Sequence, residues 1–363
     1  MKNTKLFAIV MALITVFSLV LLSACGTANE PKLPDAEETK AQETQAEETA
    51  NETKEEETKN EETEAAPEEK PEKIRVITLA GPTGIGMAKL IDDDTNGKTA
   101  YDYEFTVASA PDQVSPEVIK GNYDIAAVPV NLASVLYNKT EGKLSVAGIN
   151  TLGVLYMLEN GNTINSVADL KGKTIYATGQ GSNPEYVLRY VLSKNNIDPD
   201  KDVKIEFLAE HAELATKLKA NQVAIGMLPE PQVTSATMGS EVRIALDLTA
   251  EWDKVSDSQM VQGCIIVNNE FATKYPNALA KFLEEYKASV DYVNANVDDA
   301  SALVEKAGII PKAAVAKKAI PNCNICLITG EDMKNSVSDM LNVLFEANKA
   351  SVGGKLPDEK FYY

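Results

Sequence analysis

The sequence predicts an α/β protein of two similar lobes, and three observations carry that prediction. Val118 to Pro129 matches Leu218 to Pro229 in pattern at a spacing of 100 residues: a helix end, a polar turn, a short apolar strand, and a proline where the strand stops. Upstream, Ile74 to Leu79 runs into Ala80-Gly81-Pro82-Thr83-Gly84 and an apolar helix, while Lys173 to Ala177 runs into Thr178-Gly179-Gln180-Gly181-Ser182-Asn183-Pro184 and another. Between Lys171 and about Met260, strands such as Lys204 to Leu208 alternate with helices such as that around Leu214 to Leu218, as in an open parallel sheet.

Ahead of the lobes the chain reads as a targeting segment and a tether. Lys2 and Lys5 precede an apolar run from Leu6 to Leu22, the pattern of a secretory signal over residues 1–24. Leu22-Ser23-Ala24-Cys25 resembles the bacterial lipobox, which implies a lipid on Cys25 and an extracytoplasmic, membrane-anchored protein. An uncleaved anchor is the alternative, with the same consequence for location. Residues 26–72 hold 17 acidic and 5 basic residues, repeat Glu-Glu-Thr, and contain no aromatic residue. Such a stretch has nothing to bury and is expected to be a disordered tether.

The net charge of the whole chain is −19, with 54 acidic against 35 basic residues, so a nucleic-acid partner is excluded for want of a basic face. At roughly 150 residues per domain, the remaining 291 residues accommodate two lobes. The expected order is 73–157 in lobe one, 158–262 in lobe two, and 263–363 back in lobe one. The return begins with a buried strand, Cys264 to Val267. Pro276 opens a helix with Leu279, Phe282, Tyr286, Val290 and Val293 on one face, and a last amphipathic helix carries Val337, Met340, Leu341 and Leu344. Both are assigned to the first lobe, with crossings near residues 157 and 262.

Cys323 and Cys326 fall in a predicted strand over 322–328, where residues three apart face opposite ways, so Cys264, Cys323 and Cys326 are expected as packed thiols. Metal binding is not expected, because His211 is the single histidine.

Ligands of open α/β sheets bind beyond the carboxyl ends of the strands. Four loops meet that condition: Gly81 to Gly84, Pro129 to Asn131, Thr178 to Tyr186, and Pro229 to Gln232. The expected ligand contacts are Gly81, Pro82, Thr83, Gly84, Asn131, Thr178, Gln180, Gly181, Ser182, Asn183, Tyr186 and Glu230. Each also has a plainer reading. The glycines also punctuate turns, and Glu230 is equally suited to capping the turn that follows it. His211 reads as a surface histidine, with a place facing the cleft as the alternative, and Trp252 as either a ring-stacking or a hinge-packing residue.

Asp169-Leu170-Lys171-Gly172-Lys173-Thr174-Ile175, the glycine-rich turn after it, and Leu228-Pro229-Glu230-Pro231 resemble the extracellular substrate-binding proteins of ABC importers, in the group that includes nitrate, sulfonate, taurine and thiamine-pyrimidine binders. The resemblance covers about residues 73–363. It implies the two-lobed periplasmic-binding fold of type II, two hinge crossings, a small-molecule ligand, and permease and ATPase subunits as partners of a monomeric binding protein. It implies no cofactor.

Composition narrows the ligand. The three arginines, Arg75, Arg189 and Arg243, lie outside the four loops, so no bidentate clamp for a carboxylate or sulfonate comes from them. Glu185 and Glu230 sit in or beside the loops and oppose an anion. Together with Tyr186, Gln180, Asn183 and Asn131 they point to a polar heterocycle of thiamine or pyrimidine type. The alternatives are an anion of the sulfonate, taurine or nitrate type and a tethered sensor module. With one histidine and no Gly-x-Ser-x-Gly turn, an enzyme is not expected.

Overall fold

The computed structural model describes residues 70–363. The signal segment, Cys25 and the tether up to residue 69 lie outside the described residues. Eleven strands are present among them: β1 (Ile74–Leu79), β2 (Tyr103–Ala108), β3 (Ile125–Pro129), β4 (Leu144–Thr151), β5 (Leu155–Glu159), β6 (Thr174–Thr178), β7 (Lys204–Leu208), β8 (Ile225–Pro229), β9 (Arg243–Asp247), β10 (Gly263–Asn268) and β11 (Ile325–Ile328). They form two sheets, ordered β11-β4-β10-β3-β1-β2 and β7-β6-β8-β5-β9.

The sequence repeat is a repeat of architecture. In the first sheet β3 lies between parallel β1 and antiparallel β10; in the second, β8 lies between parallel β6 and antiparallel β5. Strands covered by helices on both faces read as continuous apolar runs rather than alternating ones. Accordingly Ile125 to Val128 and Ile225 to Leu228 are buried at every position. Each run ends at its proline, Pro129 or Pro229.

The chain passes from the first sheet to the second over residues 152–154, because β5 already belongs to the second sheet; this is a few residues ahead of the expected position near 157. It returns between the helix Leu248–Asp253 and β10. The two crossings touch at Gly153, where an added Cβ would meet Thr249 Oγ1 at 2.0 Å and Met260 Cε at 2.4 Å. Trp252 packs beside the return: it is fully buried, lies 4.5 Å from the Tyr190 ring, and donates from Nε1 to Ser258 O at 2.7 Å. Its side chain is thus taken up by packing inside the protein.

The Asp-Leu-Lys-Gly-Lys motif is the lead-in to β6. Asp169 accepts from the backbone N–H groups of Asn165 and Ser166, and Gly172 turns with φ 78° so that its N–H reaches Asp202 O at 2.6 Å.

One core cluster runs through both lobes, joining Ile77, Val128 and Ile149 to Leu155, Met157, Ile175, Leu188 and Met227. The helix Pro276–Ala295 buries Phe282, Tyr286 and Val290 with Ile125 and Ile265 of the first lobe. The last helix, Gly330–Ala347, packs on β4 and also on the second lobe's helix Asn183–Lys194, so its assignment to the first lobe alone is too narrow. The expected strand over 322–328 shortens to β11, preceded by a 3₁₀ turn at Ile320–Asn322. Pro321 removes a donor there, and Asn324 turns with φ 45°. Cys264, Cys323 and Cys326 are free thiols, the first two buried and the third half-buried.

Candidate functional site

The carboxyl ends of β1, β3, β6 and β8 open on a cavity of about 650 Å³ whose walls come from both lobes. Pro129 and Pro229, the two ends of the sequence repeat, line it together. On the first lobe the turn after β1 is fixed by two hydrogen bonds. Gly81 takes φ 90° and ψ −156°, a region suited to glycine, and its N–H reaches Ile309 O at 2.9 Å. Asn150 of β4 donates from Nδ2 to Thr83 O at 2.9 Å. On the second lobe Ser182 Oγ donates to Gly179 O at 2.6 Å and holds the turn that starts the helix Asn183–Lys194.

Of the residues expected from sequence, Gly81, Pro82, Thr83, Asn131, Ser182, Asn183 and Glu230 line this cavity. Thr178 is buried beneath it, with Oγ1 2.5 Å from His211 Nδ1. Gly84 serves packing instead: a Cβ there would lie 2.4 Å from Leu79 O.

Gln180, Gly181 and Tyr186 are displaced to a separate surface depression between the helix Asn183–Lys194 and the last helix. Left-handed turns at Gly179 and Gly181 carry Gln180 away from the cleft, and only the start of the helix, Ser182 to Pro184, reaches the cavity. Tyr186 is buried against the C-terminal segment, where its hydroxyl accepts from Asn348 Nδ2 at 2.9 Å. It is therefore not a ring-stacking residue of the cavity.

Glu230 is 1% exposed, and both carboxylate oxygens are engaged by the protein. Oε2 accepts from Thr234 N at 3.0 Å; Oε1 accepts from Thr234 Oγ1 at 3.0 Å and from Asn322 Nδ2 at 3.1 Å. The turn-capping reading thus describes its contacts. Burial raises its pKa, against the opposing effect of these hydrogen bonds.

The three arginines are committed elsewhere, to Asp124, to Glu185 with Asp200, and to Glu159. Glu185 also accepts from Gly181 N at 2.7 Å, so a backbone donor of this glycine turn is already taken by a carboxylate of the protein. No lysine or arginine is among the described residues lining the cavity.

Several wall residues lie outside the four expected loops, among them Ser109, Pro111, Thr151, His211, Gln262 and Pro311. His211, for which the sequence left a surface place and a cleft-facing place open, is a wall residue whose pKa burial lowers. Gln262, on the returning crossing, also lines the cavity. The available signal was a polar side chain set between Val261 and the buried strand at Gly263. Three polar atoms of the wall are buried without a hydrogen-bond partner in the protein: Asn183 Nδ2, Asn183 Oδ1 and Gln262 Nε2.

Two sheets of this order, joined by two crossings around one cleft, define the type II periplasmic-binding-protein fold. The family model described as NMT1/THI5 like matches residues 107–300, just over half of the chain, and the chain belongs to that family. In fold it is similar to an ABC transporter protein from Parabacteroides distasonis, with 24% identity, 81% of this chain and 99% of that one covered, and a TM-score of 0.69. It is also similar to the periplasmic aliphatic sulphonate binding protein of Escherichia coli, with 16% identity, 80% and 93% covered, and a TM-score of 0.64. The periplasmic nitrate-binding protein of Synechocystis PCC 6803 aligns at 12% identity over 77% of this chain and 84% of that one, with a TM-score of 0.53. No curated protein sequence matches the chain significantly.

Proposed function

We propose that the chain is the solute-binding component of an ABC importer, held outside the cytoplasm by a lipid on Cys25, and that it binds rather than transforms its ligand. Its cleft captures a small polar heterocycle, neutral or cationic, of the thiamine or pyrimidine class and presents it to permease and ATPase partners.

The observation that carries this reading is the composition of the cavity wall. Pro82, Pro111, Pro129 and Pro311 contribute from the first lobe, and Pro184, Pro229 and Pro231 from the second. A proline has no backbone N–H, so these positions offer no donor to an anion, and no Lys or Arg among the described wall residues replaces them. The one carboxylate at the wall, Glu230, adds negative potential in a poorly solvated place. A flat, weakly charged ring suits such walls better than a sulfonate does.

The second reading, an anion of the sulfonate or nitrate class, is supported by the fold likeness to proteins that bind such anions. A thermal-shift screen followed by calorimetry separates the two. A ligand at 100 times its dissociation constant adds about 2.7 kcal/mol of stability. The expected result is stabilisation by thiamine and pyrimidine compounds and none by taurine, alkanesulfonates or nitrate. The reverse pattern would replace the first reading with the second, and turnover of any of these compounds by the pure protein would make it an enzyme.

A further inference from the structure

We propose that His211 is a ligand-binding residue of the cleft: Thr178 occupies its Nδ1, and the other ring nitrogen presents an Nε2–H to a hydrogen-bond acceptor of the solute, a ring nitrogen or a carbonyl oxygen. The inference rests on the heterocycle reading and adds which kind of atom on the ring is read and by which group.

The topology brings the two residues to one corner. Strands β6 and β7 run parallel with Thr178 in register with Leu208, so both strands end at the cleft. Thr178 is the last residue of β6, and His211 opens the helix His211–Lys219 just after β7 stops. The imidazole then lies against the end of the neighbouring strand, where Thr178 Oγ1 is 2.5 Å from Nδ1.

That contact decides where the ring proton is. Thr178 is fully buried, and among the described residues its hydroxyl has no other hydrogen-bond partner. A hydroxyl brings one proton to donate, and a buried donor left without an acceptor is costly. With Nδ1 as that acceptor both groups are satisfied, and the ring proton sits on Nε2. The reverse arrangement, Nδ1–H donating to Oγ1, would leave the threonine proton stranded. Burial also keeps the ring uncharged at neutral pH, against the opposing influence of Glu210, so no second proton occupies Nδ1.

The other edge of the ring belongs to the cavity. The two nitrogens of an imidazole point in widely different directions, so Nε2 is turned away from Thr178. His211 is half-buried and lines the cavity. Unlike the amide atoms of Asn183 and Gln262, its Nε2 is not closed off from solvent, and it has no partner among the described residues, so it is open to an occupant. The prolines of the wall supply no N–H of their own, which leaves room for a fixed side-chain donor. Because this donor is uncharged, it reads an acceptor atom without requiring an anion around it.

His211 is the single histidine of the chain, so nitrogen NMR of the isotope-labelled intact protein, prepared without a histidine tag, reports one imidazole. At neutral pH the free protein should show the Nε2–H tautomer, and saturating 4-aminopyrimidine should shift Nε2 while leaving Nδ1 nearly unmoved. Thr178→Val should release the ring into a mixture of tautomers. His211→Phe, which keeps a ring in the wall without a donor, should weaken 4-aminopyrimidine about three- to tenfold in calorimetric titration, the share of one hydrogen bond between neutral groups. An Nδ1–H tautomer in wild type would overturn the proposal. So would 4-aminopyrimidine binding with an unmoved Nε2, or with undiminished affinity in His211→Phe, and either result leaves the heterocycle reading standing. Methanesulfonate shifting Nε2 where 4-aminopyrimidine does not bind would overturn the heterocycle reading and the ring acceptor with it. No shift with either compound would overturn His211 as a contact.

Discussion

Asn322 of the first lobe donates from Nδ2 to Glu230 Oε1 of the second at 3.1 Å. The carboxylate that caps the short helix Gln232–Thr237 is thus also a fastening between the lobes at the edge of the cleft. Tyr156 strengthens the same place, since its hydroxyl donates to Asn322 O at 3.0 Å.

Asn322→Ala should destabilise the protein by about 1–3 kcal/mol, the cost of leaving part of a buried carboxylate unpaired. Glu230→Ala removes the cap as well and should cost at least as much. Urea unfolding of both variants measures this. Equal stability of Asn322→Ala and wild type would show that the contact does not hold the lobes.

Gly153→Ala should cost about 1–3 kcal/mol or more, the range for forcing an extra carbon into a filled space. The added Cβ would lie 2.0 Å from Thr249 Oγ1, where the two crossings meet. Parting the crossings there should also change the range of lobe closure, measurable as a shift in the radius of gyration on ligand addition. An unaltered midpoint and an unaltered shift would refute the close contact.

His211 gives a pH dependence whose sign is determined by burial. Its pKa in the folded protein lies below the ordinary 6.5, so the unfolded chain binds the proton more readily. The stability linked to this group is therefore complete above about pH 6.5 and is lost as pH falls below that value. Nearby Glu210 opposes the shift without reversing it. In melting scans from pH 5 to 8, His211→Gln should flatten this part of the profile, and a variant as acid-sensitive as wild type would contradict the assignment.

Tyr186→Phe should leave ligand affinity within about twofold while lowering stability by about 0.5–1.5 kcal/mol, the net worth of one hydrogen bond. The residue faces Asn348 rather than the cavity. A tenfold loss of affinity would return Tyr186 to the binding site.

The lobes were legible because the repeat ending at Pro129 and Pro229 is local: apolar strand, stop and turn succeed one another within a dozen residues. The cleft loops followed from the same rule, since strand ends in such sheets gather at one edge. Which side of a loop faces the ligand was not legible. Gln180 and Tyr186 lie within a few residues of Asn183, yet glycine turns and the docking of the last helix direct them elsewhere. Gln262 and Asn322 were missed for a different reason, since their partners lie far away in sequence. Glu230 is the intermediate case: its bond to Thr234 spans four residues, and the capping reading was available from the local pattern.

The proline-lined rim has a kinetic consequence. Seven wall positions have φ held near −65° by their own rings, so the jaws of the cleft already have their shape before a solute arrives. Little loop ordering accompanies capture, and the main freedom left to lose is the angle between two stiff halves. For the binding role proposed above, capture at low solute concentration would then be set by closure of the halves rather than by a loop finding its shape.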